Sequence, residues 1–410
     1  MLLNYLFVFF FLASLVMALF QLAITRDATV FGNIVESLFS SANTGFEISI
    51  GLAGILTLWQ GLIRVGEKSG IIGKMAKGTA PFFSVLFPSV PKGHPVLGTM
   101  LLNFSANMLG LDNAATPVGL QAMQELQKLN KNKERISDAM IMFLCINASG
   151  LTLLPVTIIM YRMQLGSSSP SNVFLPILIA TAASTISAIL MVAYRQRINL
   201  LQKAFIIPLF IITAAVVALF FMLRYADKAV ITQYATAVSH IVLFAFVCLF
   251  IASGFWAKRN VFEDFIEGAK EGFGTAVKII PYLVSILVAI GVFRASGCMD
   301  LAINGIRELV ALIGIEPSWV EGVPTMLMKP LSGSGARGMM IDAMKTFGPD
   351  SFIGNLVCTV QGASDTTFYV VAAYCGSVSI KYTRYTMGVS LIADIVGIVV
   401  GTLMCYLFFF

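Results

Sequence analysis

The sequence predicts an all-α polytopic membrane protein: an inverted repeat with two re-entrant helical hairpins and about nine full transmembrane helices. Three observations carry that expectation. Hydrophobic residues make up 58% of the 410 and charged residues only 12%, where a soluble domain carries about 25% charge. A motif from 30–70 returns at 261–297. The basic residues collect in alternate loops.

Crossing a bilayer takes about 20 apolar residues. Runs of that kind lie at 3–24, 47–65, 136–161, 172–194, 204–223, 234–256, 279–293, 350–375 and 386–409. The first lacks a basic start and a small-residue cleavage site, so it reads as an anchor helix and not as a signal peptide. The repeat follows it. Val30-Phe31-Gly32-Asn33-Ile34-Val35-Glu36-Ser37 is echoed by Val261-Phe262-Glu263-Asp264-Phe265-Ile266-Glu267-Gly268. Ala42, Gly45, Phe46, Ser69 and Gly70 recur without a gap as Ala269, Gly272, Phe273, Ser296 and Gly297. Ala122-Met123 matches Ala343-Met344, and Cys145 falls near Cys358. The organisation expected is an anchor (1–27), a first unit (28–200), linking helices (201–258) and a second unit (259–410). Each unit opens with an amphipathic, interfacial helix (28–43 and 260–275). A crossing helix, a short amphipathic stretch (70–90 and 298–314), a hairpin and two more crossings follow.

Loop charge sets the orientation. Most of the 27 Lys and Arg lie in 64–92, 128–135, 195–203, 257–278 and 381–384. The opposite loops keep Arg26, Arg162, Arg224, Lys228, Arg294, Arg307, Lys329, Arg337 and Lys345. The positive-inside rule places the first set in the cytoplasm. Segment 93–127 leaves one cytoplasmic loop and returns to another, so it must be a re-entrant hairpin. Its counterpart, 317–347, then enters from the other side. An odd number of crossings separates the two units, which turns the second copy upside down.

Non-helical backbone at membrane depth survives only where protein or water covers it, so the hairpin tips are the candidate site. The first tip carries Asn103, Asn107, Asp112 and Asn113. Thr116-Pro117 reads as the cap and first residue of a restarting helix. Its free N–H groups would point into the protein. The second tip reads Lys329-Pro330-Leu331-Ser332-Gly333-Ser334-Gly335-Ala336-Arg337. Pro330 should break a helix, the glycines let backbone approach a ligand, and Ser334 is the expected cap. The crossings that follow have polar interruptions, with Asn147 and Ser149 in one and Gln361, Ser364, Asp365 and Thr366 in the other. Asp365 in an apolar run is expected to face a cavity or pair with Arg337 or Lys329. Asp394, late in the last helix, is a weaker case of the same kind. For any one Ser, Thr or Gly, helix packing is the better explanation. The cluster of two tips and two interruptions is what favours a site.

Several classes are set aside. No HExxH, GxSxG, P-loop or nucleotide-binding domain indicates an enzyme, and no cofactor is expected. Cysteines 145, 248, 298, 358, 375 and 405 form neither a CxxC nor a His/Cys cluster, and they read as packing residues; His94 and His240 are isolated. The net charge of +6 resides in short loops and does not indicate nucleic-acid binding. The partners expected are the lipid bilayer and a small-molecule solute, with homo-oligomerisation left open.

Two stretches resemble known proteins. Asn113-Ala114-Ala115-Thr116-Pro117-Val118-Gly119-Leu120-Gln121-Ala122-Met123 looks like the signature of bacterial spore maturation protein A. Pro330 to Ala336, Gly348 to Gly354, Gln361-Gly362, Asp365 to Tyr369 and Lys381 to Tyr385 resemble spore maturation protein B. The chain is thus similar to a fusion of the two, both of the nucleoside recognition, or Gate, group. That group also includes segments of concentrative nucleoside transporters and of the ferrous iron transporter. The resemblance implies a multi-pass protein of the bacterial inner (plasma) membrane and, in spore formers, a role in dehydrating the spore core. The inverted frame with broken tips is the usual build of a secondary transporter, here for a small polar or anionic solute, nucleoside-like ones included. A non-transporting envelope or spore-maturation protein acting through partners is the alternative. A metal-ion permease using Cys145 and Cys358 is a lesser one.

Overall fold

A computed structural model describes residues 2–410 except 27, 92, 111, 208–209, 212–213 and 215–227. The side chains of 2–3, 25, 72, 75–80, 112–114, 228–236 and 239 also lie outside the description. The expected crossing 204–223 falls largely on undescribed residues.

The described chain is helical, with one isolated bridge between Arg135 and Tyr382. Helix α1 spans Leu2–Thr25. The first unit runs α2 (Thr29–Lys68), α3 (Ile71–Leu86), α4 (Pro95–Met108), α5 (Asp112–Leu129), α6 (Asp138–Ser149), α7 (Val156–Gln164) and α8 (Phe174–Gln196). After α9 (Lys228–Trp256), the second unit runs α10 (Val261–Ala295), α11 (Cys298–Leu312), a 3-10 turn (Ser318–Gly322), α12 (Val323–Leu331), α13 (Gly333–Phe347), α14 (Phe352–Gly362), α15 (Thr367–Ser377) and α16 (Thr386–Phe409). The order is the same twice: a long helix, a short one, a helical pair, a second pair of short helices, and a long helix. Even the turns agree, for Gly70 and Gly297 take left-handed φ of 75° and 78° before α3 and α11.

Five helices among the described residues are long and apolar enough to cross a membrane: those at Asn4–Ile24, Thr29–Lys68, Phe174–Gln196, Val261–Ala295 and Thr386–Phe409. Two sequence expectations change here. The amphipathic openings and the crossings after them are not separate helices but single helices of 40 and 35 residues. No turn residue interrupts them at their middles; Gly45 and Gly272 serve close packing there instead. At 1.5 Å per residue they reach about 60 and 52 Å, well beyond a hydrocarbon core of about 30 Å. The expected crossings 136–161 and 350–375 are instead each two short helices, broken at 150–155 and 363–366.

Helices α2 and α10 pack antiparallel along their length. A Cβ on Gly45 would lie 2.9 Å from Val284 Cα, and one on Gly272 would lie 2.9 Å from Thr57 Cα. In the register that carries Gly45 to Gly272, Thr57 becomes Val284, so each contact recurs with its roles exchanged. That is the signature of a two-fold contact. Helices α8 and α16 likewise meet at Ser184 and Gly397, counterparts in the register that carries Cys145 to Cys358. Ion pairs tie one end of the first pair: Arg64–Glu267 (3.1 Å), Lys68–Asp264 (3.1 Å) and Arg259–Asp264 (3.0 Å).

Helix α16 shows how the faces divide. Val389, Ala393, Gly397, Gly401 and Cys405 are buried, while Ile392, Ile395, Val399 and Leu403 are exposed. One face is protein and the other is apolar surface suited to lipid. Inside, a run of aromatic rings joins α3, α4, α6 and α15: Phe83–Phe104 (4.6 Å), Phe104–Phe143 (5.4 Å) and Phe143–Tyr374 (6.0 Å).

Candidate functional site: a cavity where four helix interruptions meet

Helices α4 and α5 run back along each other, with Thr99 donating to Glu125 (3.0 Å) and Asn103 Nδ2 to the Ala115 carbonyl (2.8 Å). The turn between them is Leu109-Gly110, with Gly110 at φ 71°. Helix α5 then starts at Asp112 and carries Pro117 inside it. The restart therefore precedes the expected Thr116-Pro117 cap. Gly110 supplies a left-handed residue before the restart, and Pro117 lies in the second turn of α5.

The second pair is sharper. Helix α12 continues through Pro330 to Leu331, and Ser332 alone, extended at φ −155° and ψ 114°, separates it from α13. Ser332 Oγ accepts from Gly335 N at 3.1 Å. Ser332 and not Ser334 is the cap, because only Ser332 has the extended backbone that a capping residue needs. Ser334 lies 3.3 Å from Ser332 Oγ. Pro330 does not end the helix; in the last turn it removes one bond only.

The two tips and the two breaks touch in series. Leu153 N, in the first break, donates to Met108 O at 2.7 Å, and Asp365 N, in the second, donates to Ala148 O at 2.9 Å. A Cβ on Gly110 would lie 2.8 Å from Leu154 O, one on Gly150 2.9 Å from Asp365 N, and one on Gly333 2.7 Å from Thr366 Oγ1. Glycine lets backbone meet backbone at Gly110 and Gly150, and lets the Thr366 hydroxyl approach at Gly333.

Between them lies a cavity of about 130 Å³. Of the candidates, Asn107, Lys329, Arg337, Gln361, Ser364, Asp365 and Thr366 line it. Asn103, Thr116, Asn147, Ser149, Ser332 and Ser334 do not; most of these brace the wall. Asn147 accepts from Asn107 Nδ2 (2.7 Å) and donates to Phe143 O (2.9 Å), and Ser149 donates to Ile146 O (3.0 Å). Asp112 and Asn113 begin α5, but their side chains lie outside the described residues.

Two cations and one acid charge the lining. Lys329 is only 4% exposed, and the Arg337 guanidinium lies over the Tyr161 ring at 5.9 Å. Asp365 is exposed into the cavity, and its Oδ1 accepts from Thr366 N at 2.6 Å. The expected ion pair between Asp365 and Arg337 is not formed, because the guanidinium turns to the ring and the carboxylate to its own backbone. Pro155 and Tyr161, which sequence reasoning passed over, also line the cavity, as do Gly110 of the expected tip and Gly150 of the expected interruption. Their signal was present: Pro155, five residues after Gly150, breaks the first crossing. Cys145 and Cys358 do not share a site. Cys145 lies near Ser390 and Cys358 near Met344 Sδ (3.3 Å), and among the described residues no group of three His, Cys, Asp or Glu side chains could hold a metal ion.

This frame can be set beside known proteins. The family model described as nucleoside recognition, the Gate model, matches residues 49–164 and again 276–381. The chain belongs to the Gate family. The two matches fall one in each unit, so the repeat is two copies of this domain. Spore maturation protein A of Bacillus subtilis (strain 168) is 41% identical over 162 residues, covering 40% of this chain and 83% of that protein. Spore maturation protein B of the same organism is 44% identical over 152 residues, covering 37% of this chain and 84% of that protein. The chain is similar to the two joined in one polypeptide, as the tip sequences imply.

Proposed function

We propose that this Gate protein is a multi-pass protein of a bacterial inner membrane that carries a small anionic or strongly polar solute past its two helical tips. The observation that supports this most is the cavity, which sits where four interruptions of helical backbone converge and is lined by Lys329 and Arg337. Nothing in the chain suggests an enzyme, a cofactor or a nucleic-acid partner. Helix ends and buried cations hold anions well. A volume of about 130 Å³ has room for a few waters or a small oxyanion, and it is below the ~300–1,000 Å³ of ordinary ligand pockets. A nucleoside-sized solute needs a tip to move aside, as alternating access would make it do.

The same reading makes the second copy inverted and both helical pairs re-entrant. The role-exchanged contacts of α2 with α10 support this. So do the loop contacts, which join only segments given to one side by charge: Glu134 with Lys381 and Lys68 with Asp264 on the cytoplasmic side, Arg162 with Asp350 and Arg307 with Glu321 on the other. Thermal unfolding of the purified protein with phosphate, sulfate, carboxylates and nucleosides tests the site. A bound solute raises the midpoint, and Arg337→Gln weakens that effect tenfold or more, about what one charged hydrogen bond contributes. In proteoliposomes, Asp365→Asn alters the pH dependence of uptake if that carboxylate couples transport to protons; unchanged pH-dependent uptake removes it from the mechanism.

The names of the two Bacillus relatives favour one other reading, a spore-maturation role exercised through partner proteins without transport. A protein that binds none of these solutes and co-purifies with a defined envelope partner would support it.

A further inference from the structure

We infer that the solute of this cavity, granted that the cavity is the solute site, is a small zwitterion with a primary ammonium and an anionic group, as in an amino acid. Two opposite charges line the cavity without meeting. Arg337 pairs with no carboxylate among the described residues, and its guanidinium lies over the Tyr161 ring at 5.9 Å. Asp365 turns one carboxylate oxygen to its own backbone, 2.6 Å from Thr366 N, and makes no described ion pair. Lys329 has a partner of its own, so Arg337 is the cation left to a ligand. Charges held apart in a partly dehydrated space are costly until something meets both. A simple anion would meet Arg337 but bring a second negative charge toward Asp365. A simple amine would do the reverse. A zwitterion answers both charges at once.

The helix ends agree in sign with the side chains. Gly333 and Arg337 stand at the start of α13, where free N–H groups favour an anion. Gln361 and Gly362 stand at the end of α14, where free carbonyls favour a cation. Gln361 is 8% exposed, and its Oε1 has no hydrogen-bond partner among the described residues. Its terminal torsion is soft, so the oxygen can turn to a donor in the cavity. Two acceptors on the Asp365 side, one of them charged, call for a cation that carries N–H groups. A primary ammonium has them and a trimethylammonium does not. At about 130 Å³ the cavity suits a small member of the class, such as glycine, alanine or serine, better than a bulky one.

The test is thermal unfolding of the purified full chain in detergent, at fixed pH and ionic strength, with alanine, propionate, ethylamine or trimethylglycine. Alanine is expected to raise the midpoint in a saturable way. Propionate lacks the ammonium, ethylamine the carboxylate and trimethylglycine the N–H groups, and each should need at least tenfold more for half-saturation, about what one charged hydrogen bond contributes. Asp365→Asn is expected to weaken alanine tenfold and to strengthen propionate, opposite shifts that a loss of packing would not produce. Should that variant not fold, Gln361→Leu carries the test, weakening alanine and leaving propionate as it was. Propionate as effective as alanine, or variants that move the two alike, would overturn the zwitterion and leave an anion site at Arg337 standing. No stabilisation by alanine, propionate, phosphate or sulfate would overturn both.

Discussion

Arg162 is fully buried, and its charge is met by two loops, the one that follows α7 and the one between α13 and α14. Its guanidinium donates to Pro349 O (2.7 Å), Pro170 O (3.0 Å) and Asp350 Oδ1 (3.0 Å). Asp350 lies between α13 and α14, outside every helix that could cross a membrane. Burial works against its charged form, but hydrogen bonds from the Ser167 hydroxyl and the Ser168 amide and hydroxyl, with the Arg162 charge, outweigh it and hold the carboxyl below its ordinary value. A depressed carboxyl stabilises the fold above its unfolded pKa of ~3.9, and that contribution is lost as the pH falls through the folded value. Asp350→Asn should therefore destabilise by about 2 kcal/mol near neutral pH, the scale of a lost charged hydrogen bond. In thermal scans the gap between wild type and variant should hold constant above about pH 5 and narrow toward pH 3. At this scale the sequence was partly legible. Lys329, Arg337 and Asp365 stand out because charge is rare in apolar runs. Arg162 did not, because its role depends on a loop nearly two hundred residues away. The Ser334 cap was misplaced because two serines two residues apart offer the same side chain, and only backbone conformation separates them.

Among the elements, the α2–α10 pair makes the most specific demand on sequence. A Cβ on Gly268 would lie 2.3 Å from Gln60 O, and one on Gly272 2.5 Å from Leu56 O. Backbone cannot yield to that cheaply, so Gly272→Val should strip the purified protein of several degrees of thermal stability. Gly274→Val, where a Cβ meets nothing within 4 Å, should change little. Close approach through small residues is how helices associate without a hydrophobic drive between them. The aromatic run makes a different demand. Phe143 is fully buried, and Phe143→Ala should cost about 3–5 kcal/mol, since the ring leaves a cavity. The short helices α3 and α11 were legible from amphipathic pattern alone. The fusion of amphipathic opening and crossing into single helices was not, because a change in hydrophobicity along a chain marks a change of solvent and not a break in hydrogen bonding. The reverse held for the broken crossings. Hydropathy averages over Gly150–Pro155 and sees one span, whereas Gly150, at φ 54°, ends the helix.

For the whole molecule, two Gate copies share one frame but furnish it differently. The first supplies amides and backbone to the cavity through Asn107 and Gly150; the second supplies Lys329, Arg337 and Asp365. The repeat was visible in the sequence from the start, because it rests on identical residues at fixed spacing. The meeting of its four interruptions was not, since it depends on contacts such as Asp365 with Ala148 that no local pattern encodes. The central claim is that the copies lie head to tail about that meeting point. Its most direct test is single-cysteine labelling with a membrane-impermeant maleimide, in a background without the native cysteines. Lys131→Cys, at the base of the first helical pair, and Thr346→Cys, at the base of the second, are both exposed positions. In intact cells the account predicts labelling at 346 and protection at 131, with the pattern reversed in inside-out vesicles. Labelling of both positions from the same side would contradict it.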